Sequence, residues 1–249
     1  MDRKIRVGAV SYLNTKPLIY GFERGMMQDK IDLVIDYPAN IASALLKNEI
    51  DVGLVPVAII PEMKEYYIIS DYGIGANGDV ASVCLFSDVP IKAIETVLLD
   101  YQSRTSVELI KILMKEFWKI NPVIKNTSDG FSSLIQGTTA AVIIGDRALE
   151  QRTKSRYIYD LAGAWKQFTG LPFVFAAWVS NKPLPDNFII EFNKANEYGL
   201  NNIDRIVQLN PYPMFDLKKY YTEYISYMFD IEKKNGMHKF IVYLKQPVA

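Results

Sequence analysis

Val7-Gly8-Ala9-Val10-Ser11-Tyr12-Leu13-Asn14-Thr15-Lys16-Pro17-Leu18 carries the decisive signal for the fold. Ile5, Val7, Ala9 and Val10 form an apolar run that reads as a buried strand, and the run breaks at Ser11. A helix follows at once. Asn14 or Thr15 offers an N-cap, and Pro17 suits the first turn, where a missing N–H costs nothing. A strand that passes into a helix through Ser, Tyr, Asn and Thr brings polar side chains and free backbone N–H groups to one point. The partial positive charge of a helix N-terminus suits that point to an anion. The same pattern also describes a capped turn that binds nothing, since every helix needs a cap.

Downstream the alternation repeats. Leu18 to Glu23 continue the helix, and Gly25 lies near its end. Residues 31–36 (Ile-Asp-Leu-Val-Ile-Asp) read as a second strand. Pro38-Ala39-Asn40 then opens a helix, with Asn40 as cap and Ile41, Ala44 and Leu45 on one face. Residues 51–56 form a third, apolar strand, and Val57 to Lys64 turn helical after it. This β-α-β-α-β order with short links predicts a parallel sheet, whose ligands sit at the carboxyl ends of its strands. Between Ser70 and Phe86 the rhythm changes. Residues 71–79 read as a loop and 80–86 as a strand. Gly73, Gly75 and Gly78 have the spacing of a dinucleotide fingerprint, but that fingerprint needs a helix after the glycines. Here a strand follows, so the nucleotide reading is rejected.

A second α/β pattern starts at Pro90. Residues 97–100 are a short strand, and Ser103-Arg104-Thr105-Ser106 opens a helix carrying Leu109, Ile110, Leu113 and Phe117. A strand at Val123-Ile124, a helix over 131–135, a strand over 141–146 and a last apolar strand over 171–178 follow. Beyond Pro185 the chain reads as helical, and Leu217, Tyr220, Tyr221, Tyr224 and Met228 form an apolar stripe expected to be core. The whole is an α/β protein of two lobes facing across a ligand cleft: residues 1–86 with 176–249, and residues 87–175. The segments 80–86 and 173–179 are the crossovers. Hinged two-lobed proteins close around their ligands in this way.

The composition narrows the function. The 249 residues can bury a large core. The 28 basic and 28 acidic residues balance, which argues against a nucleic-acid partner. Apolar runs are too short for a membrane span. Met1 to Arg6 lead into the first strand without a signal-peptide core, and the single cysteine, Cys84, fits a reducing compartment. A cytoplasmic protein is expected. Cys84 itself reads as a small buried hydrophobe.

Five strings together resemble the chorismate dehydratase family, whose members open the futalosine route to menaquinone. They are Ser11-Tyr12-Leu13-Asn14-Thr15-Lys16-Pro17-Leu18, Glu49-Ile50-Asp51-Val52-Gly53-Leu54-Val55-Pro56, Ser103-Arg104-Thr105-Ser106, Ile144-Gly145-Asp146 and Thr169-Gly170-Leu171-Pro172-Phe173-Val174-Phe175. The likeness runs in order from Ile5 to about Trp178, and the C-terminal helices match only in general character. Asn77-Gly78-Asp79 departs from the Asp-Gly-Pro expected of the family. The resemblance implies a type II periplasmic-binding-protein fold used as an enzyme, a carbon–oxygen lyase that removes water from chorismate. It implies no metal and no organic cofactor, in keeping with one His and one Cys, which cannot build a common zinc site.

By that resemblance Asn14 stands closest to the chemistry, orienting the substrate or a water while a carboxylate of the substrate takes the proton. Ser11 and Tyr12 come from the same rim. Ser103, Arg104, Thr105 and Ser106 at a helix start would receive a carboxylate, and Ser82 and Val83 would face the cleft from the hinge. Each has a plainer counterpart. The serines at 103–106 fit a cap with Arg104 in solvent, and Ser82 fits a small strand residue. Asp146 fits a helix cap paired with Arg147 as well as a ligand contact. Two rivals share the fold. A 1,4-dihydroxy-6-naphthoate synthase is expected to use a histidine base, and the one histidine, His238, lies in a terminal helix. A solute-binding protein of a transporter needs an export signal or lipid-anchor cysteine.

Overall fold

The structure is a computed structural model that describes residues 3–246. The first lobe opens with β1 (Ile5–Val10), a 3-10 turn (Leu13–Thr15) and α1 (Lys16–Glu23). β2 (Ile31–Asp36), α2 (Pro38–Leu46), β3 (Val52–Pro56), a 3-10 turn (Val57–Glu62) and β4 (Tyr67–Ala76) follow. The chain then crosses to a second sheet through β5 (Val83–Ser87), β6 (Thr96–Leu99), α3 (Thr105–Ile112), β7 (Val123–Asn126), β8 (Thr139–Ile144), α4 (Asp146–Gln151), β9 (Tyr157–Asp160) and α5 (Leu161–Thr169). It returns along β10 (Phe173–Ser180) and finishes with α6 (Asp186–Leu200), α7 (Ile203–Leu209), α8 (Leu217–Lys219), β11 (Ser226–Met228) and α9 (Ile231–Leu244).

One sheet has the order β11-β4-β10-β3-β1-β2, the other β7-β6-β8-β5-β9. The strands β1, β2 and β3 run parallel, as the alternation predicts, and so do β6, β7 and β8. In each sheet one strand delivered by a crossing runs the other way: β10 between β3 and β4, and β5 between β8 and β9. This moves the lobe boundaries. All of β5 pairs in the smaller sheet and all of β10 in the larger, so the crossings fall at 77–82 and 161–172, ahead of the expected breaks at 86/87 and 175/176. A strand must have crossed before it can pair.

β3 and β10 are buried along their whole length, as apolar runs are when a sheet is covered on both faces. Trp178 of β10 stacks edge-on against Phe22 of α1 and Phe192 of α6, and its indole N–H donates to Asn196 Oδ1 at 2.9 Å. One apolar cluster continues through both lobes, with a smaller one around Cys84, Phe86, Leu98 and Phe131.

Several expectations shift. Residues 71–76 belong to β4 instead of a loop, because Gly73 and Gly75 serve close approach. A Cβ there would come within 2.8 Å of Ala176 O and 2.7 Å of Phe173 O. β9 and α5 lie in a stretch where the sequence suggested no element. β9 is four half-buried residues, and α5 starts at Asp160, whose carboxylate accepts the Ala162 and Gly163 N–H groups. Neither Asn14, Thr15 nor Asn40 caps through its side chain: Asn14 Oδ1 accepts from Thr15 Oγ1, and Asn40 donates to Asp36. In the C-terminal stripe Leu217, Tyr220 and Tyr221 are buried, but Met228 sits exposed on β11. Among the described residues no helix is long and apolar enough to cross a membrane.

Asp51, just ahead of β3, anchors the base of the first lobe. Its buried carboxylate accepts from Arg3 at 2.6 and 2.8 Å, the Arg6 N–H at 2.9 Å and Lys182 at 3.0 Å. Burial works to raise this carboxyl, and the donated hydrogen bonds outweigh it, holding the group well below the usual carboxylate range. A depressed folded pKa contributes stability above the unfolded value near 3.8, and that contribution is lost as pH falls through the folded value. Asp51→Asn is therefore expected to cost about 2 kcal/mol at pH 7, the scale of charge-assisted hydrogen bonds. In urea unfolding the gap from wild type should shrink steadily below pH 4; a gap independent of pH would refute the assignment.

Candidate active site

The strand ends of both lobes meet at a small cavity of about 70 Å³. Val10, Tyr12 and Asn14 line it from the end of β1, and Ile74, Phe175 and Ala176 from β4 and β10. Val80 and Ser82 enter from the first crossing and Val83 from the start of β5. Gln102, Ser103, Thr105 and Ser106 come from the link after β6 and the start of α3, and Ile144 and Gly145 from the end of β8. Parallel strands put their carboxyl ends on one edge of each sheet, which is why chain segments so distant in sequence converge here.

Of the residues singled out in the sequence, Asn14, Tyr12, Ser82, Val83, Ser103, Thr105 and Ser106 lie on this cavity. Ser11, Arg104 and Asp146 do not line it. Ser11 is exposed and prolongs strand pairing through its N–H to Asp36 O. Arg104 points to solvent and meets Glu62 at 3.3 Å, an ion pair between the lobes. The anion-binding role expected of Arg104 is corrected accordingly: Arg104 is the N-cap residue ahead of α3, and its side chain reaches Glu62 instead of the cavity. Asp146 is the first residue of α4, and its Oδ1 accepts the Leu13 N–H from the opposite lobe at 3.2 Å. Arg147 pairs with buried Asp100 at 2.9 Å and not with Asp146.

Gln102 escaped the sequence reading, although the rule of strand carboxyl ends points to it. Its Oε1 accepts the Tyr12 hydroxyl at 2.5 Å and Arg147 Nη2 at 2.9 Å, joining the lobes beside the cavity. Gly145 faces the Tyr12 ring with φ 63° and ψ −147°, a conformation essentially confined to glycine. Thr105 is committed on both sides: its hydroxyl donates to Phe175 O at 3.1 Å and accepts the Ala58 N–H at 3.3 Å. Ser103 Oγ accepts the Ser106 N–H, which leaves its own hydrogen available.

Behind Ser82 the backbone is under tension. The Ser82 N–H returns to Val80 O at 2.8 Å across Ala81, whose φ is 64°. This is the rarer, strained form of the three-residue turn. Asp160 Oδ2 accepts the Val80 and Ala81 N–H groups at 3.0 and 2.7 Å, and Arg152 donates to Ala81 O at 3.2 Å. Asp79, in the stretch that departs from the family pattern, packs over Gly163 of α5 and not on the cavity.

The cavity walls carry no formal charge. Tyr12 is the one titratable phenol among the lining residues, and burial first, then the Asp100 charge, raises its pKa, so it stays protonated. An anion held here is met by hydroxyls, an amide, backbone N–H groups and an apolar wall.

Residues 5–246 match the family model described as menaquinone biosynthesis. The chain belongs to this family. Two curated relatives are chorismate dehydratases. That of Thermus thermophilus is 26% identical over 237 residues, covering 85% of this chain and 86% of the relative. That of Campylobacter jejuni is 26% identical over 246 residues, covering 94% and 95%. A crystal structure of an Archaeoglobus fulgidus protein has a TM-score of 0.76 at 14% identity, covering 96% of each chain. The alkanesulfonate-binding protein of Xanthomonas axonopodis pv. citri, solved with MOPS, has a TM-score of 0.63 at 12% identity, covering 98% of this chain and 94% of that one. Structural likeness at such identities speaks to fold alone, and it is the two-lobed fold of periplasmic binding proteins.

In this member of the menaquinone biosynthesis family, Asp146 receives the Leu13 N–H across the lobes with a half-buried carboxyl. Burial raises its carboxyl to about 6, only partly countered by the Leu13 N–H. A raised folded pKa contributes stability fully present below the unfolded value near 3.8 and lost as pH rises through about 6. Asp146→Asn keeps the acceptor for Leu13 and cannot ionise. It should gain about 2 kcal/mol on wild type between pH 4 and pH 7.5 in urea unfolding, the scale of a shift of this size. Parallel stability curves would refute the assignment.

Proposed function

We propose that the protein eliminates water from chorismate to give 3-[(1-carboxyvinyl)oxy]benzoate, as a lyase of menaquinone biosynthesis. The observation that carries this reading is the uncharged cavity between the lobes, lined by Asn14, Ser82 and the start of α3, in a chain with chorismate dehydratases among its relatives. Chorismate carries two carboxylates. One meets Ser103, Ser106 and the first N–H groups of α3, and the other meets Ser82 and Asn14. Donors fixed in place before the ligand arrives need no reorganisation during reaction.

The C–H beside the ether oxygen loses its proton, and its electron pair forms the new ring double bond. The hydroxyl on the neighbouring carbon departs and, with a proton, leaves as water. The ring becomes aromatic, so the protein has mainly to fix geometry and guide one proton. Among the lining residues neither the Tyr12 phenol nor the Asn14 amide is a base near pH 7. The proton acceptor in this reading is therefore a carboxylate of the substrate, and Asn14 orients it. A histidine-dependent synthase fits less well, since His238 is exposed on α9 and absent from the lining.

Incubating purified protein with chorismate and following products by mass spectrometry tests the reading. Loss of one water with appearance of an aromatic benzoate is expected. Chorismate bound but returned unchanged would instead make this a solute-binding protein. Asn14→Ala should lower kcat about 100-fold or more, the scale of removing one preorganised donor. Full turnover by that variant would remove Asn14 from the mechanism.

A further inference from the structure

Tyr220 is wholly enclosed at the start of a π-helical turn, Tyr220–Tyr224, packed edge-on against Phe215 and tilted against Tyr221. Its hydroxyl donates to Ser82 Oγ at 2.7 Å, a contact spanning 138 positions of sequence. Burial raises the Tyr220 phenol far above its ordinary range, so it remains an O–H donor at every working pH. Ser82 is just as enclosed. Its N–H bonds Val80 O, and its carbonyl accepts the Gly145 N–H, both at 2.8 Å. With the backbone held at both ends, only the Ser82 side-chain torsion is free, and it has three staggered choices.

A serine hydroxyl has one hydrogen and two lone pairs. Where Tyr220 donates into the oxygen, the serine hydrogen must point elsewhere, and the cavity is the space that Ser82 lines. A hydroxyl that accepts one hydrogen bond is also a better donor of the next. Thr105 shows the contrast, since its hydrogen is already given to Phe175 O. The same C-terminal stretch holds the opposite rim: the Tyr227 hydroxyl, from β11, donates to Asn14 O at 2.9 Å.

We infer that Tyr220 is a positioning residue, whose hydroxyl fixes Ser82 so that the Ser82 hydrogen is presented to a carboxylate of the bound substrate. The inference rests on the dehydratase reading for the identity of that substrate. It assigns a role in the site to a C-terminal segment whose sequence pattern is that of ordinary core.

A double-mutant cycle tests it. Tyr220→Phe keeps the ring and deletes only the hydroxyl, and Ser82→Ala deletes its receiver. Each single variant is expected to raise KM for chorismate about five- to tenfold, the scale of one ordered hydrogen bond. The double variant should be no worse than Ser82→Ala alone. Losses that multiply in the double variant would reduce Tyr220 to packing and overturn the inference. Crystal structures of wild type and Tyr220→Phe without ligand give a readout free of activity: Ser82 Oγ should leave its wild-type rotamer, and an unchanged rotamer overturns the inference. Should Tyr220→Phe not fold, wild type crystallised with chorismate or its product decides. Ser82 Oγ must then lie within hydrogen-bonding distance of both the Tyr220 hydroxyl and a ligand carboxylate. Wild type that leaves chorismate unchanged sinks the dehydratase reading instead, and the rotamer comparison still judges Tyr220.

Discussion

The insertion of β10 between β3 and β4, antiparallel to both, is the constraint on which the site depends. At one end of the strand, the Ser180 hydroxyl donates to Asp51 O, beside the cluster that gathers Arg3, Arg6 and Lys182. Towards the other end, Phe175 and Ala176 line the cavity, and Phe175 O receives the Thr105 hydroxyl of the second lobe. The contact with β4 is possible because Gly73 and Gly75 lack side chains where the β10 carbonyl oxygens approach. A side chain on that face would push β4, and Ile74 with it, away from the cavity floor.

A cavity without charges is a physical choice with consequences. Burying a guanidinium beside a carboxylate removes two ions from water, and the desolvation can exceed their attraction. Hydroxyls, an amide and N–H groups leave much less to desolvate and hold the ligand by direction. Charge is kept off the lining: Arg104 meets Glu62 in solvent, and the buried Asp100 carboxylate is paired with Arg147 behind the cavity wall. These ion pairs join or stiffen the lobes without entering the lining. Arg147 also reaches Gln102, so the buried Asp100 charge is connected through two side chains to the Tyr12 hydroxyl across the mouth.

Ser82 shows how such a site is held in place. A strained turn at Ala81 presents it, and Asp160 and Arg152 hold the turn from outside the cavity. Tyr220 holds its hydroxyl from behind. Strained backbone persists only where its surroundings over-determine it, and here Asp160, Arg152 and Tyr220, from three separate segments, do so. The two crossings between lobes therefore carry more than connectivity, since one of them forms a wall of the site.

The sequence alone determined the alternation of strands and helices, the parallel run of β1, β2 and β3 and the rim from Tyr12 to Asn14. Those features follow from local periodicity and from the rule that parallel strands end on one edge. Ser103 and Ser106 were legible for the same reason, as a helix start after a strand. Only the tertiary structure decided that Gly73 and Gly75 lie in a strand, because close approach and loop freedom use the same residue. It alone turned Arg104 outward, gave Arg147 to Asp100 and brought Tyr220 to Ser82. A helical stripe records that a tyrosine is buried, but not which partner its hydroxyl finds. That partner lies 138 residues away, and no local pattern encodes such a distance.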